Sequence, residues 1–134
     1  MRVIKLWRAE FLLVLLCLVG RSLEAQEPAV HHLMTKDVAG AADKEVLMVA
    51  VEYGPGVSEA VHRHNAQAFV YVLEGSVVMQ VKGGTPVTLH AGDTFYEGPG
   101  DIHLVGRNAS STERARFVVV LIKKKGAPVA LPAR

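Results

Sequence analysis

Short apolar runs broken by glycine-marked turns fill residues 46–124, and this pattern constrains the fold more than any other feature. Gly54-Pro55-Gly56, Glu74-Gly75, Lys82-Gly83-Gly84, Ala91-Gly92-Asp93 and Gly98-Pro99-Gly100-Asp101 mark the turns. Between them, Val46, Met48 and Ala50 share one face of a two-residue alternation, and Leu47, Val49 and Val51 share the other. Both faces are apolar, as in a strand inside a sandwich or barrel. Phe69 to Leu73, Val77 to Val81, Pro86 to His90, a short piece through Tyr96, Ile102 to Val105 and Ala115 to Lys124 read as further strands. Lys82-Gly83-Gly84 supplies a hairpin, because glycine accepts positive φ without a Cβ clash. Seven or eight short strands with no long 3.6-residue period predict an all-β barrel or sandwich. Residues 26–44 are mixed in character and predict an N-terminal arm with one short strand. The chain of 134 residues suffices for one domain and not two.

The N-terminus reads as an address. Arg2, Lys5 and Arg8 precede the apolar run Phe11 to Gly20, and the polar stretch Arg21 to Ala25 follows. Charged start, short apolar centre and polar end are the order of a secretory signal peptide. The apolar run is about half the roughly 20 residues that span a bilayer, so a retained membrane anchor is the weaker reading. Residues 1–25 are therefore read as the signal and 26–134 as a single domain, periplasmic or secreted, with no stable membrane anchor after cleavage. N-terminal sequencing of the exported protein is expected to begin at or near Gln26. The one cysteine, Cys17, lies in the apolar run and leaves with it, so the mature chain works without thiol chemistry. The net charge of +2 also resides in this segment: removing its four basic and two acidic residues from the 15 and 13 leaves 11 of each. A neutral domain lacks the electrostatic footprint of a nucleic-acid binder.

Chemistry concentrates in the histidines. His62 and His64 stand two apart just before a strand, so both imidazoles can reach one ion. His103 follows the Gly98 to Asp101 turn and can close the same site from across a barrel. On spacing alone, such a pair is as well read as exposed polar residues at a loop end. His31 and His32 read as parts of a solvated arm, and His90 as an exposed hairpin end. Phe69 and Tyr71 read as core residues, and Tyr96 as a core or barrel-facing one. The run Lys123, Lys124, Lys125 reads as a solvated strand edge. Asn108-Ala109-Ser110 matches a glycosylation sequon, which matters only in a eukaryotic secretory pathway.

Gly56, five residues, His62, one residue and His64, then Gly75 closing Phe69-Val-Tyr-Val-Leu-Glu-Gly, resemble the first motif of the cupin superfamily. Gly92, Gly100 and His103 resemble the second, and the gap with Gly83-Gly84 matches the smallest cupins. The resemblance covers about Val46 to Ile122. It implies a small jelly-roll β-barrel with a metal held inside near its mouth. The family's glutamate ligand, separated from the second histidine by three or four residues, is missing: Ala68 and Phe69 stand there. Gln67 is one residue earlier and could substitute only if the strand begins irregularly. Gly98 stands where proline is usual, and Arg107 where asparagine is usual, with Asn108 one residue late.

The expected metal set is therefore His62, His64 and His103, with Gln67 as the candidate fourth ligand. The expected cofactor is a divalent transition metal: iron, zinc, nickel, manganese or copper. Three neutral imidazoles would leave the metal its full charge and an open position. One function class is a metal-dependent oxygenase or isomerase acting on a small oxygen-rich molecule. The other is a metal or small-ligand binding module without turnover. Glu59 and Glu97 lie near the motifs, but the sequence names no partner for either. The resemblance also implies a homodimer, built on the Phe117 to Ile122 strand and the N-terminal arm.

Overall fold

The computed structural model describes residues 26–133, so the signal segment read in residues 1–25 lies outside the described residues. Ten strands and no helix are found among those described. They are β1 (Ala29–Val38), β2 (Ala41–Tyr53), β3 (His62–Arg63), β4 (Ala66–Glu74), β5 (Ser76–Val81), β6 (Val87–His90), β7 (Thr94–Glu97), β8 (Ile102–Asn108), β9 (Ala115–Lys124) and β10 (Leu131–Pro132). Two antiparallel five-stranded sheets form, in the orders β1-β2-β9-β4-β7 and β10-β3-β8-β5-β6. They enclose one core as a small jelly-roll barrel, so the all-β expectation holds.

Period-two alternation decides what faces inward. On β2 the inner set is Leu47, Val49, Val51 and Tyr53; on β4 it is Ala66, Ala68, Val70 and Val72. Phe117 and Leu121 of β9 and Met79 of β5 complete the packing, and the Tyr53 and Phe117 rings meet edge to face at 5.0 Å. Each fully buried aliphatic or aromatic side chain contributes about 1.5–3 kcal/mol over leaving it in water. The hairpin expected at Lys82-Gly83-Gly84 is present, with Gly83 at φ 88° joining β5 to β6.

Four expectations need correction. Residues 26–44 hold more than one short strand: β1 has ten residues and β2 begins at Ala41. The side chains of β1 are almost all exposed, so no apolar alternation announces the strand; hydrogen bonding to β2 holds it. Phe69 and Tyr71 are not core residues, because β4 has the opposite phase and turns them outward, 42% and 49% exposed. Tyr96, their neighbour on β7, is also exposed. Lys123 is not solvated: β9 is a central strand, and the Lys123 ammonium is buried against the Glu45 carboxylate and the Ala127 carbonyl.

Asn108 takes the structural task expected one position earlier. It is buried, donates its amide to the Tyr53, Gly54 and Glu113 carbonyls, and accepts from the Ser110 amide, while Arg107 is exposed. In the folded chain the sequon asparagine is thus already engaged.

Candidate metal centre

Strand pairing, more than sequence proximity, assembles the site. β3 pairs with β8 so that His62 lies directly opposite His103. His103 therefore joins from the neighbouring strand of one sheet, not from across the barrel. His64 follows β3, and its ring meets that of His62 at a centroid distance of 4.8 Å; the His62 and His103 rings are 5.0 Å apart. The three expected histidines are thus brought together. Gln67 is not: the regular alternation of β4 leaves it exposed on the outer face, opposite Ile122. His31, His32 and His90 are exposed, on β1 and β6, and belong to neither group of side chains able to hold an ion.

Two carboxylates complete the cluster. Glu97, at the end of β7 in the other sheet, is buried, and its Oε2 lies 3.5 Å from His103 Nδ1 and 3.9 Å from His64 Nε2. Glu59, in the segment before β3, places Oε2 3.8 Å from His62 Nδ1 and 4.0 Å from His103 Nδ1. The five side chains form two overlapping groups that share His62: His62, His64 and Glu97, and Glu59, His62 and His103, each able to hold an ion. Sequence reasoning missed the role of both glutamates. The available signal was Glu97 on a strand otherwise ending in Phe95-Tyr96, an acid with no reason to be buried there.

Hydrogen bonds set the histidine tautomers. His62 Nδ1 donates to the Ala60 carbonyl at 2.9 Å, and His64 Nδ1 donates to the Val129 carbonyl. The two Nε2 atoms then face each other 3.1 Å apart. A proton held between them or a shared cation can bridge that spacing. The separation is one that two metal–nitrogen bonds of about 2.0–2.1 Å can span. His103 is 3% exposed and neither ring nitrogen has a hydrogen-bond partner; the Val105 carbonyl approaches without meeting the geometry. Glu97 Oε2 is likewise buried and unpartnered, while the buried Tyr53 hydroxyl turns toward the Glu59 carboxylate. Each such group costs about 1–3 kcal/mol unless something else satisfies it. A divalent ion fits this donor set, because it would satisfy the imidazoles and the carboxylate at once.

Electrostatics agree with that fit. Burial, with the nearby His62 charge, lowers the His103 imidazole to about 4, so it stays in its neutral, ligating form at neutral pH. His64 is lowered mainly by burial. Burial, then the Glu59 and Asp101 charges, raises Glu97 to about 7, as for a carboxylate missing its counter-charge. Glu59 is raised by burial, offset in part by Tyr53 and His62. Tyr53 is raised by burial and by the Glu59 charge, which keeps its hydroxyl protonated. Gly106 makes the crowding affordable: a Cβ there would lie 2.9 Å from the His103 ring, 3.0 Å from Glu59 Oε2 and 3.1 Å from Tyr53 Oη.

The centre opens into a cavity of about 390 Å³ inside the barrel. Pro28 and Val30 border it from the N-terminal side, and Val129 and Ala130 from the C-terminal side. β10 pairs with β3, so the C-terminal tail both holds His64 and edges the cavity.

The Cupin domain family matches residues 49–121, more than half of the chain and both histidine segments. The chain belongs to the cupin family. No curated protein matches it significantly. Among solved structures, an uncharacterized conserved protein with a double-stranded β-helix domain from Klebsiella pneumoniae is similar at TM-score 0.62 and 23% identity, covering 79% of this chain and 86% of that one. The DMSP lyase DddQ from Ruegeria pomeroyi is similar at TM-score 0.62 and 20% identity over 78% of this chain, which spans 50% of that protein. The polyketide cyclase RemF from Streptomyces resistomycificus is similar at TM-score 0.60 and 23% identity, with 82% of this cupin and 75% of that chain covered. These likenesses show the barrel fold, and several of the similar cupins are enzymes.

Proposed function

We propose that this cupin is an exported metal-dependent enzyme, in which His62, His64 and His103 hold one divalent transition metal and Glu97 supplies a carboxylate donor. The supporting observation is buried His103, both ring nitrogens unpartnered, beside the unpartnered Glu97 oxygen. Iron, zinc, nickel, manganese and copper all suit a histidine and carboxylate set. Elemental analysis of the purified exported protein should find about one such metal per chain. A metal-free preparation that takes up none on addition overturns the proposal.

When bound, the metal would supply Lewis acidity toward an oxygen of the bound molecule. This chain's own residues supply proton handling. Glu59, with its carboxyl held above the usual range, can accept a proton from a molecule in the cavity. Tyr53, whose hydroxyl stays protonated at the same end, can hydrogen-bond an oxygen of that molecule. That pair favours an isomerase-like proton transfer over an oxygenase, which would leave both groups without a task.

A second reading, a binding module without turnover, gains support from the 3.8 Å and 4.0 Å approaches of Glu59 to two of the histidines. If Glu59 itself coordinates, no base is left. Glu59→Gln separates the two. As a base, Glu59 should be replaceable with metal affinity kept within about tenfold, the low end of the cost of altering a supporting group. A loss beyond about 100-fold, read by chelator competition, makes Glu59 a ligand and favours the binding module.

The homodimer is proposed on the outer face of the first sheet. Register aligns Met34, Met48, Val120, Phe69 and Tyr96 in one apolar row across all five strands, with Tyr71 and Val118 in the next. A second copy related by twofold symmetry would lay the same row on itself. Phe117 and Leu121 of β9 are spent in the core, so its contribution is Val118, Val120 and Ile122. Sedimentation should give the mass of two mature chains at micromolar concentration, and Phe69→Glu should give one. A single-chain mass for the wild type defeats the proposal.

A further inference from the structure

The walls of the cavity say what kind of molecule it takes. Away from the metal centre they are built by Val49, Val51, Val70, Met79, Phe117 and Leu121, all hydrocarbon or thioether. Apart from exposed Glu27, the polar side chains of the lining cluster at one end, where Tyr53, Glu59, Glu97 and the three histidines lie within a few ångströms of one another. Among the described residues, no lysine or arginine lines the cavity, and its charged lining residues are Glu27, Glu59 and Glu97, all acidic. A polyanion would therefore meet no side-chain counter-charge and three carboxyls. Burying an unpaired charge is far more costly than burying a neutral polar group. Sites for carboxylates and phosphates normally carry arginine or lysine for this reason. The volume of about 390 Å³ lies at the small end of the usual range for small-molecule sites.

We infer that the ligand of this cavity is a mainly apolar molecule of one- or two-ring size, with a single polar head directed at the histidine and glutamate end, uncharged unless the metal is there to balance it. This departs from the small oxygen-rich molecule that the sequence reading expected for an enzyme. It deepens the proposed function, since the head is the part that would reach the metal, but the apolar walls act whether or not metal is bound.

The test uses 6-propionyl-2-(dimethylamino)naphthalene, a neutral two-ring probe whose emission shifts in apolar surroundings, on the purified exported protein with and without chelator. One saturable site per chain is expected in both conditions. A matched pair then reads charge alone: 2-naphthol should displace the probe at least about tenfold more effectively than 2-naphthoate in the chelated protein, given the cost of an uncompensated carboxylate. Equal or better displacement by 2-naphthoate overturns the inference. Val119→Phe, which fills the cavity, should abolish probe binding, and Val51→Leu should weaken it by a smaller step that leaves folding safe. Phe69→Ser, on the outer sheet face, should leave binding unchanged. If Phe69→Ser abolishes binding and neither filling variant alters it, the probe sits outside the barrel and the inference fails. Probe binding retained in a protein that takes up no metal refutes the metal proposal alone. Metal binding without probe binding refutes this inference alone.

Discussion

His103→Ala is expected to leave the purified protein almost free of metal, with affinity reduced more than about 100-fold. Altering a group that merely orients a ligand costs roughly 10–100-fold, and a direct ligand costs more. His103 is the most buried of the three histidines and bonds to no protein group through either nitrogen, so no structural hydrogen bond is lost with it. The measurement is chelator competition together with thermal unfolding. Wild type should gain stability on metal addition, about 2.7 kcal/mol at a free concentration 100 times Kd. The variant should gain almost none at the same concentration. A variant that unfolds at the same metal-dependent temperature as wild type would show that His103 is only a packed core residue.

The three histidines were legible because their chemistry is local. His62 and His64 are two residues apart, and His103 sits a fixed step after a glycine turn that any short β–β connection of this kind requires. The barrel was legible for a related reason: strands apolar on both faces, such as β2 and β9, advertise themselves as runs rich in Val and Leu, although only one face of each is buried. Strands without a buried face stay silent, which is why β1 reads as an arm. The phase of β4 was ambiguous because both of its faces are apolar, and aromatic side chains suit a core as well as an outer sheet face. The inner choice fell to Ala66, Ala68, Val70 and Val72, small side chains that leave space for the cavity and its ligands.

Glu97 was hidden because its relation to the site is a matter of register. A carboxylate on the same strand as its histidines has a spacing that can be read; one delivered across a strand pair has none. β4 pairs with β7 so that Ala68 lies directly opposite Glu97. Residues so paired hold their Cβ atoms about 4.5–5.5 Å apart on one face of the sheet. Glu97 thus approaches, from a neighbouring strand, the space that faces the position at which the family pattern places its glutamate. Gln67, one residue off, has no route to the same face.

This arrangement makes a compensating exchange the sharpest test of the centre. Glu97→Ala should reduce metal affinity by at least about 100-fold, as for loss of a ligand. Adding Ala68→Glu to that variant should recover most of the loss, because the new carboxylate starts from the facing position and enters the space vacated. In the wild-type background Ala68→Glu should instead weaken binding and stability, since it sets two buried carboxylates side by side at a position now fully buried. Metal affinities of the four proteins, measured by the same competition, form a cycle whose coupling decides the matter. Independent effects would leave Glu97 outside the coordination sphere. Stability against pH gives a second signature in the metal-free protein. Glu97 is raised to about 7 from 4.5, so the folded state holds a proton that the unfolded state releases. Its contribution is fully present below pH 4.5 and is lost as pH rises through about 7, above which a buried, unpaired carboxylate remains. His103 runs oppositely: lowered to about 4 from 6.5, it withholds a proton that the unfolded chain accepts, and costs stability as pH falls from 6.5 toward 4. At pH 8 the His103 cost is gone and the cost of the buried carboxylates, Glu97 and Glu59, remains. Glu97→Gln should therefore make the metal-free protein more stable there, by on the order of 1–3 kcal/mol, while weakening its hold on metal. A residue kept for packing would lose stability on the same change.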